Sequence, residues 1–115
     1  MEKERKILFY KDYFINFYSG LNDAAQQKID YVLQLIKKVH KVPVKFLKHI
    51  EGTKGLYEIR AEYQSNIYRI FCCFDRGDLV ILFNSFKKKT NKTPKKEIEQ
   101  ALSLMKEYFK DEEKR

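Results

Sequence analysis

A chain of 115 residues with a 43% hydrophobic fraction is long enough for one core and short for two, and its nine Phe and eight Tyr supply core bulk in the absence of Trp. The 24 basic against 16 acidic side chains give a net charge of +8 and a pI near 9.4, a balance suited to polyanions such as nucleic acid or an anionic membrane surface. Its two cysteines are neighbours, Cys72 and Cys73, which argues against a disulfide framework, and no metal-ligand spacing occurs.

The opening "MEKERKILFY" is charged ahead of a short apolar run, so neither a signal peptide nor a membrane span is expected, and a reduced, cytoplasmic protein fits. Lys6 to Tyr10 reads as a strand, and Lys11 to Gly20 as one short helix. Asp23 with Gln26 has capping-box form, and Ile29, Val32, Leu33, Ile36 and Val39 recur at helical spacing. That amphipathic helix ends near His40, because Pro43 forbids continuation.

Residues 44–55 are mixed, with glycines at 52 and 55, and read as a connection. Three strands follow, "LYEIRAEY", "IYRIFCCF" and "LVILFNSF", separated by the turn-like "QSN" and "DRGD", so consecutive antiparallel pairing is the economical topology. Tyr57, Ile59 and Ala61 alternate with Glu58, Arg60 and Glu62, marking one covered face and one wetter face. The other two strands are apolar almost throughout. A last helix begins with Thr93 as N-cap and Pro94 as first helical residue, and carries an apolar stripe of Ile98, Ala101, Leu102, Met105, Tyr108 and Phe109. The order is β-α-α-β-β-β-α in a single α+β domain over 1–115, with residues 109–115 expected to fray. Helices on one face of an antiparallel sheet leave the other face open for a ligand.

Arg69 stands alone among apolar neighbours in its strand. By alternation it shares a face with Ile67, Phe71 and Cys73, opposite Tyr68, Ile70, Cys72 and Phe74. Either it pairs with Glu58 or Glu62 on the adjoining strand, or it stands on an open face, where Arg60 could join it in gripping a phosphate with planar, bidentate donors. Six lysines (Lys87, Lys88, Lys89, Lys92, Lys95 and Lys96) surround the entrance to the last helix. A helix N-terminus already carries partial positive charge, so lysines there oppose stability and suggest an anion site. His40 and His49 read as structural or solvated, and no Ser-His-Asp grouping or phosphate-binding glycine loop occurs.

The series "LYEIR", then "YRIFCCF", then an apolar strand running into "FKKKTNKTP", within residues 44–101, resembles the RelE/ParE superfamily of type II toxins, most closely its HigB or phage-derived Gp49-like branch. The resemblance implies a RelE-like fold, with an N-terminal helical hairpin packed on the sheet and a C-terminal helix. It also implies a ribosome-dependent mRNA endoribonuclease with no metal or other cofactor, silenced by a cognate antitoxin for which a helix-turn-helix repressor is expected. Carried over by position, it points to Arg69, Arg60 and the basic group Lys87 to Lys89; Arg69, Arg60 and Lys88 are expected to be catalytic, and Lys45, Lys48, Lys87, Lys89, Lys92 and Lys95 to bind RNA. The sequence departs from the pattern in two places. Glu58 stands where relatives have a second basic residue, and no Tyr or His follows the basic run before Tyr108. Two alternatives stay open: a ParE-like inhibitor of DNA gyrase that cleaves nothing, and an inactive nucleic-acid-binding relative.

Overall fold

The two hairpin turns do what their residues allow. Gln64 takes a left-handed φ of 56° in the two-residue turn after Tyr63, and Arg76 and Gly77 take 54° and 79° in the next, so the strands on either side fold back on each other. The computed structural model describes residues 4–88 and 92–113. In chain order the elements are β1 (Lys6–Phe9), α1 (Tyr13–Ser19), α2 (Asp23–Lys38), β2 (Leu47–His49), β3 (Tyr57–Tyr63), β4 (Asn66–Asp75), β5 (Leu79–Lys88) and α3 (Lys95–Glu113). They form one sheet with strand order β1-β5-β4-β3-β2.

β3, β4 and β5 form the antiparallel meander expected, and β2 extends it by pairing antiparallel with β3. β1 departs from that pattern by pairing parallel to β5, because the chain crosses over through α1 and α2 before the meander begins. The segment read as a connection contains β2, three residues whose pairing with β3 rather than propensity makes them a strand.

Alternation divides the side chains of the sheet between two interiors. Ile59, Ala61, Tyr68, Ile70, Cys72, Val80 and Leu82 face Phe14 of α1 and Ala25, Ile29, Val32 and Ile36 of α2. Phe71, Cys73, Ile81 and Phe83 face Ala101, Leu104 and Tyr108 of α3. The face expected to be open is therefore partly roofed by α3, which is why β4 and β5 are apolar on both sides. Between Ile70 and Cys72 the β4–β5 register slips by one residue on β5, a bulge beside the buried Phe83 and Asn84. The Asn84 amide donates to the Glu97 carbonyl at 3.1 Å, pinning the first turn of α3 to the sheet.

Helix ends show where local signals shifted. Asn22, one residue before the expected cap, accepts the Ala25 amide at 2.9 Å, while Gln26 donates instead to the Tyr18 carbonyl. At the other end of α2, the Arg5 guanidinium donates to the carbonyls of Ile36, Val39 and His40 at 2.8, 2.6 and 2.7 Å, satisfying acceptors the helix leaves bare. α3 runs to Glu113. Tyr10 donates to Asp111 and Glu107, Tyr108 donates to Asp75, and Arg76 approaches Glu112, so the last turns are tied back to β1 and the β4–β5 turn. In the expected stripe Leu104 takes a buried place, while Phe109 is exposed.

Candidate phosphate-binding cleft

α3 covers the sheet over β4 and β5 but stops short of β2 and β3. Beside its first turn lies an open cleft of about 510 Å³, lined by Lys48, Glu58, Arg60, Arg69, Thr93 and Ile98, with His49 to Glu51 at its rim. The ladder explains this grouping. Arg60 is directly opposite Arg69, Glu58 is opposite Phe71, and Lys48 is opposite Glu58, so all four polar side chains rise from one face of three adjacent strands.

At the centre is a buried ion pair. Arg69 and Glu58 are each 2% exposed, and Arg69 Nη1 donates to Glu58 Oε1. Glu58 Oε2 accepts the Thr93 hydroxyl at 3.0 Å. That bond commits the hydroxyl expected to cap α3, and the helix starts at Lys95 rather than Pro94. Arg60 is the outer arginine. Its side chain is 20% exposed, its Nε lies 3.6 Å from Glu58 Oε1, and that buried Nε has no hydrogen-bond partner. Arg60 also borders a second cavity of about 260 Å³, lined by Lys28, Lys45, Phe46, Glu62 and Gln64, so one guanidinium joins two adjoining hollows around the edge of β3.

A family model, phage-derived protein Gp49-like, matches residues 16–106. The chain belongs to that family. Among solved structures, a chain of the archaeal RelE–RelB complex from Pyrococcus horikoshii OT3 is similar to the Gp49-like chain, at 18% identity and a TM-score of 0.53, over 77% of this chain and 99% of that one. The fold is thus RelE-like. Curated proteins include no match.

The Gp49-like fold separates several residues that are neighbours in sequence. Lys87 is opposite Tyr68, on the side of α1 and α2, whereas Lys88 is opposite Ile67, on the Arg69 side and beyond the cleft lining. Lys92, Lys95 and Lys96 are exposed outside the lining, and Lys89 lies outside the described residues. Lys48 lines the cleft and Lys45 the second cavity. Arg69 does not stand free on an open face: it is the inner, carboxylate-bound partner, and Arg60 is the one that meets the opening.

Sequence reasoning missed Lys28, which reaches the second cavity from α2 and carries no local signal, and Thr93 as a partner of Glu58. His49 borders the cleft, but its ring lies 2.9 Å from the Thr53 carbonyl and stacks edgewise on Tyr57, opposite it in the ladder, in keeping with a structural role. Both cysteines are free and buried in the sheet, and burial pushes the Cys73 thiol up to about 12 and Cys72 well above its ordinary value, so neither offers a thiolate nucleophile.

Proposed function

We propose that the protein is the toxin of a type II toxin–antitoxin pair and acts as a ribosome-dependent endoribonuclease on mRNA. The observation that carries this reading is Arg60, a buried Nε without a hydrogen bond on a guanidinium that fronts two joined hollows. Such a group suits a backbone phosphate, which supplies acceptors that the protein withholds.

In cleavage, the 2′-hydroxyl attacks the adjacent phosphorus and the 5′-oxygen leaves. Arg60 binds the non-bridging oxygens and stabilises the charge that grows there. Arg69, fixed by Glu58, holds a second positive centre behind it. Lys88, one ladder step further along that face, stabilises the leaving oxygen. Lys45 and Lys28 take phosphates on one side, and Lys48, Lys87, Lys89, Lys92 and Lys95 serve the remaining strand and the ribosomal surroundings. The partner is an antitoxin of helix-turn-helix type whose acidic surface covers the cleft, as the RelE of the archaeal complex is held with RelB.

The test is induced expression without antitoxin, with mapping of the 5′ ends of cellular mRNA. Wild type is expected to arrest growth and create new ends inside translated frames, and Arg60→Ala to lower cleavage by about 10²–10³, the scale of one lost transition-state donor. Full cleavage by Arg60→Ala would overturn the assignment.

One observation favours a second reading. Glu58 sits between the two arginines and offsets part of their field, so a ParE-like inhibitor that binds DNA gyrase without cutting anything fits the same cleft. Growth arrest with intact messages and a DNA-damage response supports that reading over the nuclease.

A further inference from the structure

β1 ends the sheet, and its hydrogen bonding is half used. Lys6 donates to the Asp78 carbonyl at 2.8 Å and Tyr10 to the Leu82 carbonyl at 3.0 Å, so Lys6, Leu8 and Tyr10 turn their amides towards β5. In a parallel strand the alternate residues, Ile7 and Phe9, then present both N–H and C=O outwards. β1 is the last strand of the sheet, with β5 on its one side, and among the described residues no turn, loop or cap hydrogen bond meets those groups. The free stretch is bounded on both sides, because the Arg5 amide is taken by the Lys37 carbonyl at 2.9 Å and Lys11 leaves the strand with φ 59°. Its midpoint is Leu8.

We infer that the protein forms a two-fold dimer by antiparallel pairing of its β1 edges, with Leu8 on the axis. This register places Ile7 opposite Phe9 of the second copy and Phe9 opposite its Ile7. Both are hydrogen-bonded pairs, so all the outward groups of the two strands are satisfied at once. No other two-fold register does this, since centring on Ile7 calls on the Arg5 amide and centring on Phe9 calls on Lys11.

The side chains agree with the backbone. Leu8 and Phe9 are 45% and 47% exposed, unusual for large apolar residues on a sheet, and each borders a hollow. On the α1–α2 side, the hollow whose apolar lining is Ile7, Phe9 and Leu33, with Asp30, Gln34 and Lys37 around them, receives Phe9 from the second copy. On the α3 side, Leu8 meets its own counterpart. Lys6 stands opposite the second copy's Tyr10, which lines a hollow with Asp111 and Glu112, so an exposed lysine arrives at an acidic rim. The same contact is made twice by symmetry. β2 and β3 lie at the far ends of the resulting ten-stranded sheet, and both clefts stay open, so the inference stands apart from the proposed activity.

The decisive experiment is sedimentation equilibrium on the purified chain and on Leu8→Arg, which sets two like charges face to face across the axis. Wild type is expected at twice the 13.9 kDa chain mass, and Leu8→Arg at once that mass with an unchanged far-ultraviolet circular dichroism spectrum. Register is read by cysteine cross-linking. A non-hydrogen-bonded pair has Cα atoms roughly 4.5 Å apart, within disulfide reach, so Leu8→Cys links to itself under mild oxidant. Ile7→Cys and Phe9→Cys link only when the two variants are mixed. A wild-type monomer up to the solubility limit, a dimer that survives Leu8→Arg, or cross-linking of Ile7→Cys to itself would each overturn the proposal. So would a monomer that instead captures an extended segment of another protein on β1.

Discussion

Replacing Glu58 by Ala is expected to cost far more than a surface ion pair would. Arg69 and Glu58 are both 2% exposed, so removing the carboxylate takes the charged partner from a buried guanidinium, and also takes away the acceptor of the Thr93 hydroxyl that ties the start of α3 to β3. Breaking a buried pair from one side costs about 3–5 kcal/mol, a large part of the roughly 5–15 kcal/mol that holds a domain folded. With a urea dependence of about 2 kcal/mol per molar, the unfolding midpoint should fall by roughly 2 M. Removing both charges, as Glu58→Leu with Arg69→Met, should restore most of the loss, because an apolar pair of similar volume carries no desolvation penalty. The assay is urea unfolding followed by far-ultraviolet circular dichroism on wild type, both single variants and the double variant, read as a cycle. A Glu58→Ala loss below about 1 kcal/mol, the range of exposed pairs, would refute the reasoning and mean that solvent reaches the pair. The same assay guards the functional test: cleavage lost in Arg60→Ala is read as chemistry only where the variant remains folded.

Three further outcomes follow from other parts of the structure. Cys72 and Cys73 should react with a thiol reagent only as fast as the protein opens, because burial holds both thiols protonated; labelling at the rate of a free thiol would contradict their placement. Phenol ionisation is opposed by burial at Tyr10 and Tyr108, with added hydrogen bonds to Asp111, Glu107 and Asp75, and at Tyr18 chiefly by its hydrogen bond to Asp30. The folded state therefore keeps these protons when the unfolded chain loses them, so their contribution is complete below about pH 10 and is lost as pH rises above it. Ultraviolet titration should show these three of the eight tyrosines ionising at higher pH in the folded protein than in the unfolded chain. Finally, Arg5→Ala should lower stability by about 1–2 kcal/mol by baring the last carbonyls of α2, measurable as a shifted melting temperature, whereas Arg5→Lys should recover only part of it.

Much of the fold was legible because local signals agreed with one another. "LYEIRAEY", "IYRIFCCF" and "LVILFNSF" alternate or run apolar between turn residues, and they became β3, β4 and β5. What escaped depends on partners distant in sequence. β2 is a strand only because β3 offers it an edge, β1 lies parallel to β5 because of the crossover, and α3 roofs part of the sheet that an apolar stripe alone cannot locate. The lysine cluster shows the same limit. Along the chain Lys87 to Lys96 is one basic block, yet strand alternation sends Lys87 and Lys88 to opposite faces, and the cleft draws Lys48, Arg60 and Arg69 from three strands instead.

Arg69 is the instructive residue, because an arginine in an apolar strand carries two signals, ligand binding and a buried partner, and composition does not separate them. Register does. A two-residue turn at Gln64–Ser65 sets Tyr63 against Asn66, hence Arg60 against Arg69 and Glu58 against Phe71. Glu58 is then the diagonal neighbour of Arg69 on one face, within reach of a long side chain, and the apolar surroundings make pairing obligatory. The hairpin register alone therefore implies the pairing. With Glu58 hydrogen-bonded to Arg69 and only 3.6 Å from Arg60 without a hydrogen bond, the cations that meet the cleft opening are Arg60, partly offset, and Lys48, and Arg60 is the side chain on which any recognition of phosphate there turns.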